Sequence, residues 1–192
     1  MRILPWLQPL CAALAGCNLA VSDHPMFSAG DQLATPLKSG LWVADDPDCV
    51  FDSAKPRQTW PKCAVWLVLR DNRVAEISDD EKTERPVAIL IADGSPPIAQ
   101  IEVREKESDI VYVFYAIEPA AYDSRRRITA LSVWGVRCGT EKTPGSSQVD
   151  PYPGFDKECH PASKDAVRAA AAASRAAATD IGRMKWVRAS AD

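Results

Sequence analysis

The sequence predicts an α+β fold, mainly antiparallel β, in which a sheet or barrel of about seven strands is followed by one C-terminal alanine-rich helix. Three observations lead there. From Gly40 onward, short runs of Val, Ile, Leu, Trp and Tyr alternate with turn residues at the spacing of an antiparallel sheet. Asp71-Asn72, between Leu69 and Val74, reads as a tight hairpin turn. Near the C-terminus, Ala169–Ala173 and Ala176–Ala178 sit in a stretch with helical apolar spacing.

The 192 residues, 46% hydrophobic and 26% charged, suit one ordinary globular domain able to bury its own core. Lys and Arg number 23 against 26 Asp and Glu, a formal charge of -3, so no general basic field exists to hold a phosphate backbone. Nucleic acid is therefore set aside as a partner.

Strands are expected at 41–44, 64–70, 73–78, 86–92, 98–104, 110–117 and 127–137. Asp93-Gly94-Ser95-Pro96-Pro97 forms a longer turn between two of them. Ile101, Glu102 and Val103 alternate as a half-exposed strand should. Ile110–Ile117 is continuously apolar and is expected to lie centrally, with both faces covered. A helix over 164–180 supplies part of that cover: Ser163 is its N-cap and Gly182 lies just past its end. Val167, Ala170, Ala171, Ser174 and Ala178 share one side of it, while Arg168 and Arg175 share another that faces solvent. Met184–Arg188 reads as a last edge strand with Trp186 turned inward. Trp42, Trp60, Trp66 and Trp134 read as core or rim packing.

The amino terminus is of a different kind. Arg2 gives a positive start, Ile3–Leu14 form an apolar stretch too short and too interrupted to span a bilayer, and Leu14-Ala15-Gly16-Cys17 follows. The tetrapeptide resembles the lipobox of bacterial lipoproteins. That resemblance implies a signal peptide over 1–16, acylation of the Cys17 thiol, and cleavage that leaves Cys17 first. Asn18 directly after the cysteine resembles lipoproteins sent to the outer membrane. Each buried methylene contributes about 0.8 kcal/mol, so two or three acyl chains anchor durably. Losing residues 1–16 removes Arg2 and no acid, which moves the formal charge from -3 to -4. Residues 17–40, with Ser22, Pro25, Ser28, Gly30, Pro36 and Gly40, read as a lipidated tether spanning ~26 Å as a flexible coil. Residues 41–192 are then one disulfide-stabilised, mostly-β domain.

With Cys11 in the signal and Cys17 acylated, Cys49, Cys63, Cys138 and Cys159 remain, an even number suited to an oxidising compartment. Three pairings are possible. The sequential one, Cys49 with Cys63 and Cys138 with Cys159, is favoured because each pair brackets a turn-rich segment. Zinc on these cysteines with His160 is the rival, but no Cys-x-x-Cys pair exists.

Catalytic chemistry finds little support. The mature chain offers only His24 and His160 as imidazole bases, and no Gly-x-Ser-x-Gly elbow surrounds any serine. Asp45, Asp46, Asp48 and Asp52 crowd one stretch, yet counting from Asp46 the sixth and twelfth positions hold Phe51 and Arg57 instead of the Gly and Glu of a calcium loop. The expectation is a non-enzyme with no metal and no cofactor. Two places remain as weak binding candidates. Arg125, Arg126 and Arg127 would recognise a phosphate or carboxylate, as on lipopolysaccharide or peptidoglycan, or else guard a strand edge. Residues 139–158, with no regular period, would display Tyr152 and Phe155 between Cys138 and Cys159, unless both rings tuck onto the sheet.

Gly40-Leu41-Trp42 at the head of the strands, then strands, a helix and a short final strand, resemble the lipocalin order, though with seven strands before the helix where that barrel has eight. Trp60-Pro61-Lys62-Cys63-Ala64 with the cysteine spacing is similar to small uncharacterised envelope lipoproteins of Gram-negative bacteria. The leading expectation is a non-enzymatic, lipid-anchored protein of the periplasm and outer membrane. Its partners are the membrane, through the lipid, and an envelope protein, peptidoglycan or lipopolysaccharide. A lipocalin-like carrier of a small apolar ligand and an inhibitor of a hydrolase such as lysozyme are the alternatives.

Overall fold

The computed structural model describes residues 18–56, 59–70, 72–75, 87–104, 110–142, 148–178 and 181–189. Strand β1 is Val21–Ser22, β2 Gly40–Ala44, β3 Trp66–Arg70, β4 Arg73–Ala75, β5 Val87–Ala92, β6 Ile98–Arg104, β7 Ile110–Tyr122, β8 Ile128–Gly135, β9 Gly139–Glu141, β10 Val149–Pro151 and β11 Gly182–Arg188, with helix α1 at Lys164–Ala177 between β10 and β11. The fold is mostly antiparallel β with one C-terminal helix, as the sequence predicts. The hydrogen-bonded order runs β1-β7-β6-β5-β4-β3-β2-β11-β8, and β8 pairs again with β7. Eight strands thus form a cyclic, barrel-type meander. A meander of this kind gives each of its strands two partners within the ring; β1 adds to β7 from outside it, and β9 and β10 pair separately as a two-stranded ribbon.

Two compact units make up the chain: 1–33, 90–116 and 134–179 in one, 34–89, 117–133 and 180–192 in the other. In the second unit β2 pairs with β3, β3 with β4, β4 with β5 and β11 with both β2 and β8, every pairing antiparallel. Its buried apolar residues include Leu41, Trp42, Val43, Val68, Leu69, Ile128 and Leu131. The β3–β4 turn is as tight as expected, since Arg70 pairs with Arg73 and Asn72 takes the left-handed φ of 58° that such two-residue turns require. Two expectations are corrected here. Met184–Arg188 is no edge strand: β11 starts at Gly182, lies between β2 and β8, and so adds an eighth strand, after the helix, to the seven predicted before it. Gly182 is therefore a strand residue and not the helix stop.

In the first unit β6 pairs with β7 over seven residues from Ile98↔Ala116 to Arg104↔Ile110, and β1 pairs with β7 on its other side. Helix α1 begins at the predicted cap, where the Ser163 hydroxyl accepts a hydrogen bond from Ala166 N–H. It stops at Ala177, with Ala178 extended, three residues earlier than expected. Ala166, Val167, Ala170, Ala171 and Ser174 form its buried face, close to the predicted stripe. The helix docks on the end of β8: Trp134 Nε1–H donates to Ala171 O at 3.0 Å and Arg137 N–H donates to Ser174 Oγ at 2.8 Å. Small side chains permit this, because a backbone carbonyl must come within reach of an indole N–H.

The loose tether over 18–40 is also corrected. Asn18, Ala20, Ser22 and Phe27 are buried, and Phe27 meets Phe114 edge to face at 6.2 Å. The side-chain carbonyl of Gln100 accepts from the N–H groups of Met26 and Phe27, while its amide donates to Phe27 O. A buried amide with its bonds made is the reason a polar, proline-containing stretch stays in the fold. Further along, within the second unit, Lys38 N–H donates to Ile128 O and Ile128 N–H to Pro36 O.

Candidate functional sites

Both disulfides take the sequential pairing: Cys49–Cys63 with Cα atoms 5.6 Å apart and Cys138–Cys159 with Cα atoms 5.2 Å apart. Each closes a local loop, of 14 and 21 residues in separation, which is why turn-rich spacing revealed the partners.

In the first unit, the segment expected to lack regular structure contains a small antiparallel ribbon. β9 and β10 pair from Gly139↔Pro151 to Glu141↔Val149. Gly139 permits their close approach, because a Cβ there would collide with the Asp150 carbonyl. Beyond the ribbon the chain folds back on itself. Tyr152 N–H donates to Cys138 O, and Phe155 bridges to Pro161. Both Tyr152 and Phe155 are half-buried, so neither ring is freely displayed. The following turn is organised by Asp156, whose Oδ1 accepts from the N–H groups of Glu158 and His160. The His160 Nδ1 stands 3.3 Å from Asp156 Oδ2. Those contacts, the backbone bond from His160 first, hold the Asp156 carboxyl below its ordinary pKa. Asp156 orders a turn in which Cys159 adopts a left-handed φ of 71°, and His160 is part of that turn.

In the second unit, the arginine cluster forms the tip of the β7–β8 hairpin. Asp123 is its organiser: Oδ1 accepts from the N–H groups of Arg125 and Arg127, and Oδ2 takes both Nε and Nη2 of Arg127 at 2.9 and 2.6 Å. The Arg127 guanidinium, first among these partners, holds the Asp123 carboxyl down at about 2. Arg127 is thus committed to a carboxylate within the protein. Arg125 and Arg126 are exposed, as is Tyr122 at 56%. Lys38 Nζ approaches Asp123 to 3.7 Å and lies 3.3 Å from the centre of the Trp186 ring, whose Nε1–H donates to Ser39 O. Sequence reading missed this Asp123–Lys38–Trp186 linkage. The only local signal was an aspartate four residues before an arginine across a turn.

The acidic stretch after Trp42 caps turns. Asp46 Oδ1 accepts from Asp48 N–H, Asp52 Oδ1 from Ala54 N–H, and Asp45 pairs with Lys185 at 2.6 Å. Phe51 and Trp60 pack at 4.6 Å beside the Cys49–Cys63 bridge, with the Arg188 guanidinium 5.9 Å from the Trp60 ring centre. Val50, between Cys49 and Phe51 in the chain, is 86% exposed.

Cys17 lies outside the described residues, and the chain is described from Asn18 on. No family model, no curated protein and no solved structure matches the chain.

Proposed function

We propose that the protein is a non-enzymatic, lipid-anchored component of a bacterial cell envelope, held through Cys17 and facing the periplasm from the outer membrane. The observation that supports this reading is the disulfide pair. Once Cys17 is set aside for acylation and Cys11 leaves with the signal, the remaining four cysteines are consumed by two cross-links with none left over. Cross-links of this kind persist in oxidising compartments, and the lipobox-like Leu14-Ala15-Gly16-Cys17 supplies the address and the anchor. Its role there is to bind another envelope component, with the exposed Tyr122, Arg125 and Arg126 on one hairpin as the candidate contact.

Metabolic palmitate labelling tests the anchor. The wild type incorporates label and Cys17→Ser does not; equal incorporation in both removes the reading. In-cell crosslinking from position 125 or 126, followed by mass spectrometry, then identifies the envelope partner, and the absence of any adduct removes that contact.

A second reading is a carrier for a small apolar ligand. The cyclic order of eight strands favours it, because closed meanders are a recurrent frame for such ligands. Organic extraction of purified protein would recover a fatty acid or sterol in stoichiometric amount; recovery of none counts against it.

A further inference from the structure

We infer that the anchored protein has no tether, so that the face around Asn18, Arg137 and the β9–β10 ribbon docks directly on the phospholipid surface that holds the acyl chains of Cys17. This rests on the lipid-anchor reading above and adds an orientation to it.

The residue after the acylated one is already part of the body. Asn18 is 7% exposed, and its carbonyl accepts Cys138 N–H at 2.6 Å. Leu19 bridges to Arg137, Ala20 N–H donates to Val136 O and Val21 N–H to Cys159 O. Val21 and Ser22 then pair with Val113 and Tyr112. Four consecutive residues, 18–21, are therefore tied to the chain around the Cys138–Cys159 bridge, and the next, Ser22, to β7. Consecutive Cα atoms are separated by about 3.8 Å, so a lipid on Cys17 leaves one residue of slack in place of the ~26 Å of a flexible coil. A body held this closely at one point meets the bilayer with the surface next to that point.

That surface belongs to named residues. Gly139 starts the ribbon one residue after Cys138, so exposed Thr140, Glu141 and Lys142 stand beside the anchor. The helix end carrying Ser174 is there too, through the Arg137 bond. Charges on the face are matched within it, Arg137 with Glu141 and Lys142 with Asp150, each at 3.6 Å. Short linkage therefore sets the docking, and attraction to anionic lipid does not. The start of the helix, at Asp165, lies nine residues from Ser174, about 14 Å along the axis.

The test couples the chain from Cys17 onward, through that thiol, to a spacer-free maleimide phospholipid in phosphatidylethanolamine–phosphatidylglycerol vesicles that carry a headgroup quencher. A fluorescent non-natural amino acid is placed at Thr140 in one sample and at Asp165 in another. Quenching at position 140 is expected to exceed that at 165 several-fold, to be unchanged in 0.5 M salt as about the upper end of a screening series, and to fall to the level at 165 once a flexible Gly-Ser linker is inserted between Cys17 and Asn18. Equal quenching at both positions, or indifference to the linker, overturns the docking while leaving the anchor intact. Palmitate label that persists in Cys17→Ser overturns the anchor reading and the docking with it.

Discussion

The hydroxyl of Ser174, fully buried in the apolar face of α1, accepts the backbone N–H of Arg137 at 2.8 Å and donates to Ala170 O at 2.7 Å. One small polar side chain thus satisfies a peptide N–H that lies just past the end of β8. Ser174→Ala would leave that N–H without an acceptor at nearly constant volume. The expected loss is about 1–3 kcal/mol in urea unfolding, with far-UV dichroism unchanged. A loss within error would show that the N–H finds water.

Phe27 distinguishes a folded amino-terminal segment from a tether. It is 2% exposed and packs on Phe114, so Phe27→Ala should cost about 3–5 kcal/mol. Truncating a residue in a flexible coil would leave the unfolding midpoint where it was.

Gly40 reads as half of a Gly-x-Trp signature, and the structure supplies a reason for it. Its φ is +134°, and a Cβ would run into the Arg188 carbonyl and the Trp186 indole. Gly40→Ala is expected to destabilise by more than about 1 kcal/mol, whereas Ser39→Ala, at an exposed neighbour, should change little. Thermal unfolding of the two variants decides it.

The two bridges should contribute comparably. Their loops differ by seven residues, and the chain-entropy model assigns roughly 3 kcal/mol to each. Removing either pair by double Cys→Ser replacement should lower stability by about that amount, and reduction of the wild type should produce both losses. A reductant that leaves the midpoint unmoved would contradict the assignment.

Acid should weaken the protein through two carboxylates. Asp31 is held at about 2, first by Lys164, whose Nζ lies 2.8 and 2.7 Å from its two oxygens, and then by Ser28; Asp123 is held at about 2 by Arg127. Each folded pKa lies below the unfolded value of about 3.9. Their stabilisation is therefore complete above that value and disappears as pH falls toward 2. Asp31→Asn and Asp123→Asn should each be less stable than wild type at pH 7 and should lose less on going from pH 4 to pH 2. Parallel pH profiles for wild type and variants would refute the assignment.

Sequence alone determined what depends on local pattern. Short apolar runs separated by turn residues gave the positions of β2, β3, β5, β6, β7 and β8, helical spacing gave the buried stripe from Val167 to Ser174, and turn-rich intervals gave both cysteine pairs, because burial and short loop closure leave their mark within a few residues. The Cys17 anchor lies outside the described residues and rests on the sequence. Tertiary structure decided which distant stretches meet. Residues 18–27 look like a polar coil until β7 and the chain around Cys138 and Cys159 take up 18–22, and Gln100, more than seventy positions away, bonds Met26 and Phe27. Gly182–Arg188 looks like an edge until β2 and β8 pair on either side of it. Neither partner is written near the segment it completes, since a backbone hydrogen bond has the same chemistry at every residue and only the assembled fold brings a particular donor to a particular acceptor.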